Sequence, residues 1–181
     1  MLEAVVRKAR AQLQRNVLDI EKRTDLTDDQ KVDKIVVLFS TGCAAVAVQP
    51  IPFADFFILT SLQAYMGERI STIRGIALSE KQSSDLIKEI LGVVGMGMLA
   101  QQLGIAAAKI FWPIFGGIAT VPVVFGLTYA IGKVMDIYLV ARASGRKLSE
   151  KELKDAWKRA KAEGQNEGKR REKDIKRDGL S

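Results

Sequence analysis

The residues able to do chemistry in this chain are few and scattered. Asp55 and Asp136 are carboxylates set in apolar surroundings, Glu68 and Arg69 are adjacent opposite charges, and Cys43 is the single thiol. The chain has no histidine. Acid–base work would therefore fall to carboxylates and lysines that share no motif, and no catalytic group is expected. A lone cysteine excludes an internal disulfide, and the usual His and Cys ligand set for a metal is missing. No cofactor is expected either, because no Gly-x-x-x-x-Gly-Lys-[Ser/Thr] stretch exists to cradle a phosphate.

The two aspartates are the candidate polar site, and each has a plainer reading. Asp55 follows Pro50 and Pro52 by a few residues, so it falls in the first turn of a helix, where free amides stabilise a carboxylate. The alternative is a carboxylate facing a membrane or a partner beside the proline break. Asp136 lies three residues after Lys133 and is expected to pair with it on a helix surface. A proton-relay role would require lipid depth. Cys43, among alanines and valines, is expected to be a small buried apolar residue.

Positioning these residues is the task of a chain that segregates its charge. Lys and Arg number 28 and Asp and Glu 21, a net +7. Residues 146–181 hold 13 of the basic and 8 of the acidic groups, so the excess belongs to the C-terminal arm. Residues 35–145 carry only 13 charges, about half the density usual for a soluble domain. That middle segment needs a deep core, a partner or lipid. The start of the chain is charged and lacks the apolar core of a secretory signal, so the cytoplasmic side is expected.

Helical periodicity runs through the chain and predicts an all-α bundle of six or seven helices. Residues 1–25 form an amphipathic helix with Leu13, Val17 and Ile20 on one face. Residues 26–145 form the apolar core domain. Thr27 with Gln30 and Ser79 with Gln82 are capping pairs that start two of its helices. Pro50 and Pro52 end one helix and allow the next, which closes at Gly75. A helix from Ser79 continues to about residue 103, with Gly92, Gly95 and Gly97 arguing for close backbone contact with a neighbour.

Residues 110–132 contain 23 positions without a charge, enough to cross a bilayer, but Pro113, Gly116, Gly117 and Pro122 interrupt them. Paired with residues 91–108 they make a glycine-rich apolar hairpin with Phe111 and Trp112 near its tip. Phe53, Phe56 and Phe57, with these glycines and aromatics, are the candidate membrane or partner contacts. Residues 146–163 form a helix started by Ser149 and Glu152. Residues 164–181 read as a basic flexible tail.

The proline pair in Pro50-Ile51-Pro52-Phe53-Ala54-Asp55, with the small-residue lead from Gly42 to Ala47, resembles the uncharacterised helical domain of YcjF type. The resemblance covers roughly residues 30–143. It implies association with Era-like GTPases of bacteria, here with the GTPase supplied in trans. The expected function is a non-enzymatic membrane-associated binding module. The alternative is a soluble helical scaffold or subunit of a larger assembly, and a weaker one is a pore-forming or membrane-remodelling protein. Expected partners are anionic membrane lipid and the GTPase, with a homo-oligomer left open. Nucleic acid is not expected, since Trp157 is the lone aromatic of the basic arm.

Overall fold

The computed structural model describes residues 2–48, 54–95 and 113–179, with side chains over residues 10–48, 58–95 and 121–177 and at Arg7. Six helices account for it: α1 (Leu2–Lys22), α2 (Asp28–Val48), α3 (Ala54–Ile73), α4 (Glu80–Val94), α5 (Pro113–Ala143) and α6 (Glu150–Gly179). There is no strand among the described residues. The protein is an all-α bundle.

Helix starts follow the local chemistry of the sequence. Each of three capping boxes closes reciprocally. The Thr27 amide donates to Gln30 Oε1 at 3.0 Å, the Ser79 amide to Gln82 Oε1 at 2.9 Å and the Ser149 amide to Glu152 Oε2 at 2.9 Å. The Gln30, Gln82 and Glu152 amides return bonds of 3.3 Å to the partner hydroxyls, satisfying donors that a helix start leaves free. Gly75 and Gly145 end α3 and α5 with φ near +70°, a conformation that disfavours any side chain.

One hydrophobic cluster holds the bundle together. Leu13 and Val17 of α1, Ile35, Val36 and Phe39 of α2, Ile58, Leu62 and Met66 of α3, Phe125 and Ile131 of α5, and Trp157 and Ile175 of α6 all belong to it. The most extensive helix contacts are between α5 and α6 and between α2 and α5.

The α5–α6 seam is closed by glycine. A Cβ placed on Gly164 would lie 2.9 Å from Gly126 Cα, and one on Gly168 would lie 3.0 Å from Pro122 Cα. The two helices therefore touch backbone to backbone and run antiparallel, since 164 meets 126 and 168 meets 122.

Several expectations are corrected here. Residues 164–179 are not a flexible tail. They continue α6, because Gly164 and Gly168 face α5 and permit its approach, and Ile175 is buried. Pro122 and the Gly116-Gly117 pair do not break α5, which is continuous from Pro113. Proline removes one backbone bond, and Pro122 is instead a point where Gly168 of α6 packs against the α5 backbone. Pro113 does mark a helix start, where its missing amide costs nothing.

The helix from Ser79 ends at Val94 rather than near 103, with Gly95 at φ +103° as its cap. Gly92 is exposed, and neither it nor Gly95 has a neighbour within 4 Å among the described residues. The close-packing glycines are Gly67, Gly126, Gly132, Gly164 and Gly168 instead. Of the expected hairpin, residues 96–108 and 110–112, Gly97, Phe111 and Trp112 among them, lie outside the described residues, as do Pro50 and Pro52, while residues 113–132 belong to α5. Where α4 is described, it meets α3 and α5 at Gly67, Met135 and Tyr138.

Candidate functional site

Two ends of the bundle differ in kind. At the first, helices α1, α2, α3 and α5 are joined by charge. The Arg74 guanidinium, at the end of α3, donates to both carboxylate oxygens of Asp136 at 2.7 and 2.9 Å and lies 2.7 Å from Asp29 at the start of α2. Arg74 and Asp136 are 15% and 13% exposed. The two carboxylates hold the guanidinium well above its ordinary range, with Asp136 the larger cause. Lys133 bonds Asp33 at 2.7 Å, and Arg69 bonds Glu21 in bidentate fashion at 2.7 and 2.6 Å. Arg10 pairs with Glu80 and lies over the Tyr65 ring, 4.7 Å from its centroid.

This overturns one expected pairing. Asp136 does not take Lys133 as its partner but Arg74, 62 residues away, while Lys133 reaches across to α2. Arg69 makes its close contacts with Glu21 on α1, its neighbour Glu68 being 4.0 Å away. Partners supplied by other helices outcompete those three or four residues distant, because they are partly buried where water screens less.

A polar layer separates the two ends. Gln63 of α3 donates to the Thr128 hydroxyl of α5 at 3.2 Å, both buried. Cys43 lies at the same level, and burial pushes its thiol up to about 12, opposed by the Thr128 hydroxyl. It is a fully buried free thiol, in keeping with its apolar setting.

Beyond this layer the central helices carry almost no charge. Residues 35–48 of α2, 56–67 of α3 and 113–132 of α5 contain none. The register follows from contacts: Gly132 meets Val36 and Met66, and Gln63 meets Thr128, so these uncharged stretches share one half of the bundle. Residues 49–53 join α2 to α3 at that end and read Gln-Pro-Ile-Pro-Phe. Asp55 is the second residue of α3, and its side chain lies outside the described residues, as do those of Phe53, Phe56 and Phe57.

α5 is long and apolar enough over Val121–Ala143 to cross a membrane, and 67% of its most apolar window is buried in the bundle. A cavity of about 290 Å³ opens between α2, α5 and α6, lined by Val37, Tyr129, Glu163, Asn166, Glu167 and Arg170. In it the Tyr129 hydroxyl donates to Glu163 at 2.7 Å. Burial, then the Glu163 carboxylate, raises the phenol above its ordinary range. Among the described residues no group of three or more Cys, Asp and Glu is placed to hold a metal ion.

Residues 11–164 match the family described as a domain of unknown function, DUF697. The chain belongs to this family. The DUF697 segment spans both ends of the bundle and stops at Gly164, midway along α6, so the second half of α6 lies outside it. Searches of curated proteins and of solved structures match nothing further. Sequence reasoning missed the Arg74–Asp136–Asp29 cluster, since only the fold brings those residues together. It also missed the inward glycines of α6, for which the four-residue spacing of Ala160, Gly164 and Gly168 was a usable signal.

Proposed function

We propose that this protein is a non-enzymatic, membrane-associated helical binding module on the cytoplasmic side of a membrane, acting with a GTPase that these 181 residues do not contain. One observation carries the membrane part: the sequence that joins α2 to α3, at the end of the bundle opposite the ion pairs, is uncharged and apolar. Connections between helices ordinarily meet water and are polar. This one contains Ile51 and Phe53, is followed by Phe56 and Phe57, and is preceded by uncharged residues back to Ile35. Such an end favours an apolar or interfacial environment, and the excess basic charge of α6 favours an anionic one. The GTPase part, and the YcjF-type character, rest on the resemblance of the Pro50 to Asp55 segment alone.

A second reading is favoured by the burial of α5. Two thirds of its apolar window is covered by other helices, as in the core of a soluble scaffold. Flotation of the purified chain with vesicles separates the two. A protein that rises with lipid supports the membrane module. One that never floats and stays monodisperse without detergent removes that reading and leaves the scaffold.

A further inference from the structure

The outward face of α6 is a cationic ridge. Projected at 3.6 residues per turn, the buried residues Leu153, Trp157, Gly164, Gly168 and Ile175 form an inward stripe. Within about 60° of the opposite direction lie Arg159, Lys169, Arg170, Lys173 and Arg177, all exposed. From Arg159 to Arg177 no carboxylate enters that sector. Glu163, Glu167 and Asp174 lie on one flank and Glu172 on the other. Of the flanking pairs, Arg177 with Asp174 at 3.3 Å is exposed on both sides, and Arg170, 3.5 Å from the partly buried Glu167, is itself exposed, so they offset little of the ridge's charge. The ridge is about 27 Å long at 1.5 Å per residue.

Its place in the fold selects the partner. α6 runs antiparallel to α5, with Gly168 against Pro122, while Gln63 of α3 meets Thr128. Counted from these contacts at about 1.5 Å per residue, the start of α3 falls level with about residue 171 of α6. Lys173 and Arg177 therefore lie beyond the level at which α3 starts. Pushing that end into hydrocarbon would carry them with it, at about 2.5–3.5 kcal/mol for each charge at mid-depth. The ridge offers no exposed aromatic on which a base could stack, because Trp157 is buried.

We infer that this ridge docks on the phosphates of anionic phospholipid headgroups and holds the protein at the membrane surface, preventing insertion of the apolar end. The inference rests on the membrane reading above and decides between its peripheral and inserted forms. Lys169, Lys173 and Arg177 form the centre line of the ridge, spaced four residues apart.

The test is flotation with phosphatidylcholine vesicles, with and without phosphatidylglycerol, followed by a high-salt wash and then alkaline carbonate. The wild-type chain is expected to rise with the anionic vesicles and to be released by salt. Each basic residue contributes about fivefold, so the K169Q/K173Q/R177Q variant should lose on the order of a hundredfold in affinity. The K169R/K173R variant should bind as the wild type does, which separates charge from fold.

Retention through carbonate, or wild-type affinity in the triple variant, overturns surface docking while leaving the membrane reading standing. Failure of the wild type to float on either vesicle removes both. Binding of a short RNA duplex by the wild type, lost in the triple variant, would then assign the ridge to nucleic acid.

Discussion

The two ends of this bundle are held by different forces, and each accounts for a different part of the sequence. At the ion-paired end, Arg74, Arg69 and Lys133 tie four helices through contacts of 2.6–2.9 Å, at modest gain per pair because water still reaches them. Along the α5–α6 seam the Tyr129 hydroxyl bonds Glu163, and the helices approach until glycine is required. Cohesion there comes from dispersion and area removed from water, which salt does not screen. An end that is stable without ion pairs can meet an apolar or interfacial surface without leaving charges unpaired.

The largest effect is expected at the seam. Gly164→Ala places a Cβ 2.6 Å from Tyr129 Cβ and 2.9 Å from Gly126 Cα, so two backbones must part. Overpacking of this kind should destabilise the fold by about 3 kcal/mol, lowering the thermal midpoint by about 10 °C. Denaturant titration should give the same loss at low and high salt. If the variant is as stable as the parent, α6 does not lie on α5 as closely as described.

At the ion-paired end the expected loss is smaller and salt-dependent. Arg74→Met leaves Asp136 partly buried beside Asp29 with no cation between them, for a loss of about 2 kcal/mol, below that of a fully buried pair. Adding Asp136→Leu should restore part of it, because the uncompensated carboxylate is then gone. The loss should shrink as salt is raised, unlike that of Gly164→Ala. Equal salt sensitivity of the two variants would erase the distinction between the ends.

The local chemistry of the fold was legible in the sequence, and the long-range partners were not. Thr27 with Gln30, Ser79 with Gln82 and Ser149 with Glu152 announced three helix starts, because a capping box is written within four residues. Gly75 announced a stop. Asp136 could be seen as a lone carboxylate, but the choice of Arg74 over Lys133 depends on how α3 meets α5. The glycines misled in both directions. Gly92 and Gly95 looked like a packing face among apolar neighbours, while the polar stretch from residue 164, which holds Gly164 and Gly168, looked like a flexible tail. Composition around a glycine reports its exposure poorly when the approaching surface is itself backbone, as at Gly126 and Pro122.

Gly92 turns that lesson into a test of opposite sign. It lies in the last turn of α4, exposed, and no described residue comes within 4 Å of where a Cβ would stand. Gly92→Ala should therefore stabilise the protein by about 0.5–1 kcal/mol through helix propensity and a less flexible unfolded chain. A destabilising result would mean that a neighbour packs there and would return Gly92 to the role read from the sequence.

The smallest effect concerns the cap of α6 at the ion-paired end. The Ser149 amide, then the Ser149 hydroxyl and the Arg146 guanidinium, hold the Glu152 carboxyl below its ordinary 4.5, at about 2. Because the folded form is the stronger acid, the cap's stabilising contribution is fully present above the unfolded value near 4.5. It is lost as pH falls toward about 2. A carboxyl titration followed by NMR should place the Glu152 midpoint in that low range. Ser149→Ala removes the hydroxyl but keeps the amide donor, so the midpoint should rise only part of the way. A Glu152 that titrates normally in the intact protein would mean an open cap. The start of α6 would then be held by Leu153 and Trp157 against the core, the same apolar cohesion that serves the opposite end.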